Sequence, residues 1–294
     1  VLQDGQHIGW AESVPYARYG ESIDSSIATI NKIKAKLENG ENLPKLIEAI
    51  PASAVKNVLD CAYWDLVAKQ QSIKVEHIAN LPQASPVTCA QTLSIDTPEN
   101  MAKAAAELGN PPLIKVKLDG EKIIEKMTAI HLSSPNSHFI VDANEGWTIE
   151  DLRTCSDKLK ALNVVLIEQP LPADKDEELI HFNSPVTLCA DESCHTSDKL
   201  SLLKGKYQAI NIKLDKTGGL SEAIKLAKAA QAQGFEIMVG CMVGSSLAMA
   251  PAYLLHPFAS YVDLDGPIFL KADRAHGFTF KNGQMSTLDR ILWG

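Results

Sequence analysis

The 294-residue chain has no Cys-x-x-Cys pair, no long basic run and no apolar stretch of membrane-spanning length. Each absence excludes something. Its six cysteines (Cys61, Cys89, Cys155, Cys189, Cys194 and Cys241) are scattered and mostly sit within apolar runs. They read as reduced thiols serving as small core residues in a cytoplasmic protein, rather than as a disulfide framework or a zinc site. With a formal net charge of −8 and no basic cluster, nucleic acid is not an expected partner. No membrane span and no secretory signal are visible. The chain opens at Val1 inside what reads as a strand and turn, so a further N-terminal segment is expected.

What is present is regular. Residues 1–22 carry glycine and aromatic punctuation, which suggests strand and loop. Helical spacing follows over 24–39 and again after Pro51, where Ala54, Val58, Ala62 and Leu66 form one stripe and Val55, Leu59, Trp64 and Val67 widen it. A helix so apolar is expected to be buried on two sides. From Pro86 onward, eight strand-like runs alternate with helical ones. These strands are expected at 87–93, 113–118, up to Asp142, up to Glu168, up to Asp191, up to Lys213, at 235–239 and at 261–264. Helices are expected between them, including near 175–183, 197–204 and 245–255. Such alternation implies a parallel sheet. The charged strand ends Lys117, Asp142, Glu168, Asp191 and Lys213 follow one another at intervals of 25, 26, 23 and 22 residues. Eight such units would close into a barrel with its working face at the C-terminal strand ends, where these residues fall.

The stretch Leu113-Ile-Lys115-Val-Lys117-Leu118 alternates, placing both lysines on one face and Ile114, Val116 and Leu118 on the other. Taken singly, Asp142, Glu168 and Asp191 could each cap a helix or pair with a neighbour. Three carboxylates converging in a barrel mouth would instead repel one another unless a cation neutralised them. An all-oxygen set suits a hard ion, with Mg²⁺ the best match. The second and sixth barrel strands face each other across the mouth, so Lys117 and Lys213 could approach one carbon from opposite sides. Neighbouring cations would lower a lysine pKa enough for a neutral amine to act as a base. The competing reading is that Lys213 only pairs with Asp191 or Asp215. Two-base proton exchange beside a carboxylate, hence racemisation or epimerisation, follows from the first geometry.

The set Lys115-Val-Lys117, Val141-Asp142-Ala-Asn144, Ile167-Glu168-Gln-Pro170, Ala190-Asp191-Glu192-Ser193 and Asn211-Ile-Lys213-Leu-Asp-Lys-Thr-Gly-Gly219 resembles the enolase superfamily, in particular its muconate-lactonizing subgroup. The likeness runs from Gly9-Trp10-Ala-Glu12 and Arg18-Tyr-Gly-Glu21 to the end. It implies a (β/α)7β TIM-like barrel under an N-terminal α+β capping domain. The division expected is 1–85 for the cap, 86–275 for the barrel and 276–294 for a segment returning to the cap. It also implies one Mg²⁺ on Asp142, Glu168 and Asp191, with Asn144 and Glu192 supporting those ligands. Lys117 and Lys213 would be the acid–base pair, and Lys115 would assist the enolate; a Lys or His base with Mg²⁺ is a general feature of the superfamily.

The last strand, Val262-Asp263-Leu264-Asp265-Gly266, places Asp263 and Asp265 on one face as two carboxylates for a cation. A second metal site competes weakly, since the rest of a calcium loop is missing. The pair resembles the Asp-x-Asp of dipeptide epimerases, which bind a dipeptide's free ammonium group. Cys241, Met242 and Val243 match the substrate-lining position, although core packing explains them equally well. The resemblance thus implies an isomerase, a Mg²⁺-dependent epimerase of L-Ala-Xaa dipeptides in cell-wall peptide metabolism. The family's specificity loop maps ahead of Val1, leaving Xaa unassigned. Alternatives are N-acylamino-acid racemase, o-succinylbenzoate synthase or muconate cycloisomerase activity, and more remotely a non-catalytic metal- or peptide-binding barrel. The sequence leaves room for a homo-oligomer.

Overall fold

The computed structural model describes all 294 residues. A hairpin, β1 (Leu2–Asp4) and β2 (His7–Gly9), opens the chain. It lies on a helical unit of α1 (Ile23–Glu38), α2 (Leu43–Glu48), α3 (Ala54–Gln71) and α4 (Val75–Ile78). Ser22, Asn42 and Ser53 cap the first three by accepting the N3 backbone N–H. Helix α3 is buried on two sides, as its composition implies. One side joins Ile33, Leu46, Ile47 and Ile50 in a small core. The other meets the barrel through Trp64 Nε1, which donates to Ser221 Oγ at 2.9 Å, and Asp60, which accepts from Ser221 N and Oγ. Gly9 has to be glycine here, because a Cβ would lie 2.1 Å from the Ala62 carbonyl of α3.

The barrel strands are β4 (Gln91–Leu93), β5 (Leu113–Lys117), β6 (His138–Asp142), β7 (Val164–Glu168), β8 (Thr187–Ala190), β9 (Ala209–Ile212), β10 (Glu236–Gly240) and β11 (Tyr261–Asp263). Neighbours in this order all pair in parallel. Ala90 N donates to Val262 O at 2.8 Å and links the first strand's approach to the last. Helices α5 (Pro98–Glu107), α6 (Ile123–Ser133), α7 (Ile149–Ala161), α8 (Leu214–Thr217), α9 (Leu220–Ala232) and α10 (Ser246–Tyr253) fill five of the seven connections and 3-10 turns the other two, in the expected (β/α)7β barrel order.

The period-two pattern sorts the strand residues. Outward Ile114, Val116, Phe139, Val141, Ile167, Leu188, Ile210, Ile212, Val239 and Val262 join the main core against the helices. Each fully buried side chain of this kind contributes about 1.5–3 kcal/mol. Inward, Ala90, Leu113, Ile140, Leu166, Cys189, Ala209 and Met238 form a separate layer with Tyr261 against it, one residue per strand. That plug closes the barrel floor, and the next inward position on each strand stands above it.

Three expectations are corrected. The run 87–93 is not one strand: β3 (Val87–Thr88) leaves the barrel and pairs antiparallel with β13 (Gln284–Met285), itself paired to β12 (Phe280–Lys281). The stretches near 175–183 and 197–204 are 3-10 turns, Glu177–His181 and Ser197–Leu203, rather than α-helices. In the first, Asp176 is buried and takes Lys206 Nζ, Ser193 Oγ and Tyr207 Oη at 2.7–2.9 Å, pinning the chain before a helical turn can propagate. At the far end, Gly294 N donates to Asp65 Oδ1 of α3 at 2.7 Å.

Asp215 joins cap and barrel by accepting from Val14 N at 3.0 Å and Asn57 Nδ2 at 2.8 Å. Burial pushes its pKa up to about 6 despite those donors. Because the folded value lies above the unfolded one, its contribution is fully present below about pH 4 and is lost as pH rises through about 6. Asp215→Asn is therefore expected to gain on the parent by up to about 3 kcal/mol between pH 4 and 7. Urea unfolding of both proteins across that range checks this, and a constant difference contradicts it.

Candidate active site

Two residues along each strand from the floor layer stand Thr92, Lys115, Asp142, Glu168, Asp191, Asn211 and Asp263, with Lys117, Asn144, Lys213 and Asp265 one step higher. Adjacent register brings Lys117 beside Asp142 and Asp142 beside Glu168. A Cβ on Gly240 would sit 2.6 Å from Asn211 Oδ1, so glycine there makes room for Asn211, whose Nδ2 donates to Glu168 Oε1 at 2.7 Å.

The lysines interleave with the carboxylates. Lys115 Nζ lies 2.9 Å from Asp142 Oδ2, 2.7 Å from Glu168 Oε2 and 2.8 Å from Asp263 Oδ2. Lys117 Nζ donates to Asp142 Oδ2 at 2.7 Å and Asn144 Oδ1 at 2.8 Å. Lys213 Nζ donates to Asp191 Oδ2 at 2.7 Å and stands 3.8 Å from Glu168 Oε1. The Lys213–Asp191 pair is thus real, but it is part of a network; Asp215 is engaged elsewhere. Of the site residues predicted from sequence, all but Asp142 and Glu168 line one cavity of about 440 Å³, and Asp142 reaches it through Lys115 and Lys117. Glu168 reaches it through Lys115 and Lys213.

Electrostatics shows a surplus of negative charge. Burial would raise Asp142, but Lys115 and Lys117 outweigh it and hold the carboxyl well below its usual range. Lys213 and Lys216 do the same for Asp191. Burial, with Asp142 adding repulsion, pushes Glu168 up to about 7; burial and Asp191 bring Glu192 to about 7, and burial and Asp263 bring Asp265 to about 7. The expected lowering of lysine pKa by neighbouring cations is not met. Burial does act to lower Lys213, but Asp191 and Glu168 outweigh it and raise the amine. Lys115 is raised in the same way by Asp142, Asp263 and Glu168.

Do these residues fit a divalent cation? No three acidic, histidine or cysteine side chains are gathered tightly enough to form a finished cage, because the lysine ammonium groups stand between the carboxylates. Six carboxylates (Asp142, Glu168, Asp191, Glu192, Asp263, Asp265) nevertheless meet four lysines (Lys115, Lys117, Lys213, Lys216), leaving two negative charges. Glu168 Oε2 is also buried without an aligned hydrogen bond. An all-oxygen donor set with this surplus fits a hard dication such as Mg²⁺.

Near the end of β11, Asp265 Oδ2 accepts from Thr92 N at 2.7 Å, and Asp263 Oδ1 is buried with no partner. Both residues are 4% exposed, so an unpaired acceptor here calls for a donor from a bound molecule. Cys241, Met242, Val243 and Phe269 form the apolar wall beside them. Burial raises the Cys241 thiol, consistent with wall rather than nucleophile.

Sequence reasoning missed several participants. Lys216, fully buried, donates to Asp191 Oδ1 and O and to Asn211 O. Its spacing of three from Lys213 within a helical turn was the available signal. Val14, Tyr16 and Tyr19 come from the cap to line the cavity. Their segment is tied down where Glu12 accepts from Ser245 N and Oγ and where Arg18 grips Glu145.

The comparisons with known proteins bear on this geometry. The chain is 56% identical over its full length, and over 94% of the relative, to an N-acetyl-D-glutamate racemase of Pseudoalteromonas sp. It is 45% identical to an L-Ala-D/L-Glu epimerase of Escherichia coli strain K12, covering 94% of this chain and 87% of the relative. Among solved structures, an enolase family member from Agrobacterium tumefaciens with homology to dipeptide epimerases, holding sodium and L-Ala-L-Glu, superposes with a TM-score of 0.93 at 40% identity, covering 99% and 90% of the two chains. A dipeptide epimerase from Enterococcus faecalis V583 complexed with Mg and L-Leu-L-Tyr gives 0.87 at 27% identity, covering 96% and 85%. The family model described as "Enolase C-terminal domain-like" matches residues 97–290, the stretch that carries every carboxylate and lysine of the cavity described above, and the chain belongs to that family within the enolase superfamily.

Proposed function

We propose that the protein is a Mg²⁺-dependent dipeptide epimerase that inverts the α-carbon of the C-terminal residue of L-Ala-Xaa dipeptides. One observation carries this reading: Lys117 and Lys213, on β5 and just past β9, enter the same cavity while each is tied to a different carboxylate of the acidic set. With an amine on each side of one carbon, one removes the α-proton from its face while the other, as an ammonium, delivers its own proton to the opposite face. In this assignment Asp142, Glu168 and Asp191 hold Mg²⁺, which when bound supplies the positive charge that stabilises an enediolate and favours a neutral lysine. Lys115 donates to the substrate carboxylate as charge builds on its oxygens. Asn144 and Glu192 steady the acidic set, Asp263 and Asp265 receive the ammonium group, and Cys241, Met242 and Val243 bound the alanine end. The division into cap (1–85), barrel (86–275) and returning segment (276–294) is kept, as is a cytoplasmic enzyme acting on cell-wall peptides. Six free cysteines support the location.

The 56% identity to an N-acetyl-D-glutamate racemase favours a second reading, in which the amino group carries an acyl substituent. Asp263 and Asp265 then meet a single amide N–H, and the apolar wall takes the acyl methyl group. Comparing turnover of L-Ala-L-Glu with that of N-acetyl-D-glutamate separates the two. A kcat/KM at least tenfold higher for the dipeptide upholds the first reading, and the reverse establishes the second.

Metal binding is testable without turnover. Mg²⁺ at one hundred times its dissociation constant is expected to stabilise the fold by about 2.7 kcal/mol, seen as a rise in Tm that EDTA reverses. The double variant Asp142→Asn, Asp191→Asn should show no rise. A rise equal to the parent's would remove these carboxylates from the metal site.

A further inference from the structure

The backbone between β6 and α7 is held in an unusual state. Asn144 and Glu145 are consecutive non-glycine residues at φ +42° and +66°, and Gln169 beside them is at +35°. Such residues each cost about 1–3 kcal/mol and persist only where their surroundings over-determine them. Most of the restraint is internal to the barrel. Asn144 N donates to Asp142 Oδ1 at 3.0 Å, Glu145 N to Gln169 O at 2.9 Å and Ala173 N to Glu145 Oε1 at 2.8 Å. One restraint comes from outside. Arg18 of the cap grips Glu145 with two parallel bonds, Nε to Oε2 at 2.8 Å and Nη2 to Oε1 at 2.9 Å. The Arg18 side chain is 48% exposed, so as a surface ion pair it adds at most about 1 kcal/mol to stability. Its bidentate geometry instead fixes orientation.

What that orientation sets is the neighbouring side chain. With 144–145 left-handed, Asn144 Oδ1 stands 2.8 Å from Lys117 Nζ. No hydrogen bond or ion pair joins Lys213 to Asn144 or Glu145; its partners are Asp191 and Glu168. We propose that Arg18 is a positioning residue for one half of the acid–base pair: docking of the cap through Arg18–Glu145 holds Asn144 against Lys117 and leaves Lys213 unaffected. The same short segment carries Tyr19, whose ring packs edge-on against His195 with centroids 4.8 Å apart.

The inference rests on the two-lysine reading, and its test separates the two ideas. In D₂O with Mg²⁺, α-deuteration is followed separately from each epimer of the substrate, the epimer served by Lys117 being the one whose exchange Lys117→Ala abolishes. Arg18→Met is expected to slow exchange from that epimer about 10- to 100-fold while leaving the other within about twofold, with Arg18→Lys recovering part of the loss. Equal loss from both epimers, or no loss, overturns the proposal. Should the parent exchange neither epimer, the proposed function fails instead. The positioning claim is then read from amide hydrogen exchange at Glu145 and Gly146, which is expected to be at least about tenfold faster in Arg18→Met than in the parent at unchanged Tm. Unchanged protection there overturns it.

Discussion

Lys117→Ala and Lys213→Ala, made separately, are each expected to lose epimerisation by about 10³-fold or more, yet to keep opposite halves of the exchange reaction. General acid–base catalysis by a positioned group is worth about 10²–10⁴-fold, and inversion needs both groups in one turnover. Each variant retains one amine. It can remove the α-proton from the epimer whose hydrogen faces that amine, exchange it with solvent and return it to the same face. The result is deuteration without inversion, from a different epimer in each variant. Loss of both exchanges in both variants would mean that the lysines act as one charged unit, linked through Lys115, which bridges Asp142 beside Lys117 and Glu168 beside Lys213. Epimer-resolved NMR in D₂O distinguishes these outcomes.

The second large effect is expected at the end of β11. Asp265→Asn should lower kcat/KM for a free dipeptide by about 10²–10³-fold, since removing one side of a buried charge pair costs about 3–5 kcal/mol. The same change should alter N-acetyl-glutamate turnover by less than about fivefold, because an amide N–H carries no charge to be left unpaired. Asp265 is a better probe than Asp263. An asparagine carbonyl at 265 still accepts from Thr92 N, whereas Asp263 also holds Lys115 at 2.8 Å. Equal losses on both substrates would place Asp265 in the framework rather than in amine recognition.

Much of this was readable in the chain. The lysine–apolar alternation of 113–118 and the steady intervals between polar strand ends identify barrel strands and their working face, because side-chain direction in a strand has a strict period of two. Three carboxylates and two lysines at those ends follow from the same register. The shortfalls are long-range. Val87–Thr88 looks continuous with the first barrel strand, and what peels it away is a hairpin whose Gln284 side chain donates to Thr88 Oγ1 196 residues along the chain. The 3-10 turn at Glu177–His181 arises from buried Asp176 binding Lys206 and Tyr207, contacts no local propensity encodes. Arg18 meets Glu145 across 127 residues. The sign of the Lys213 shift was missed for a related reason: spacing shows which groups meet, but their charge balance depends on distances of 2.7 and 3.8 Å to two carboxylates.

The most direct test of the central claim is the α-proton signal of the C-terminal residue of L-Ala-L-Glu, followed by ¹H NMR in D₂O with the parent protein, once with Mg²⁺ and once with EDTA. Two-base proton transfer predicts that this signal alone disappears, in Mg²⁺ only, as the D-Glu epimer accumulates. Retention of the signal with Mg²⁺ present, or its loss equally in EDTA, would contradict a metal-assisted lysine pair acting on that carbon.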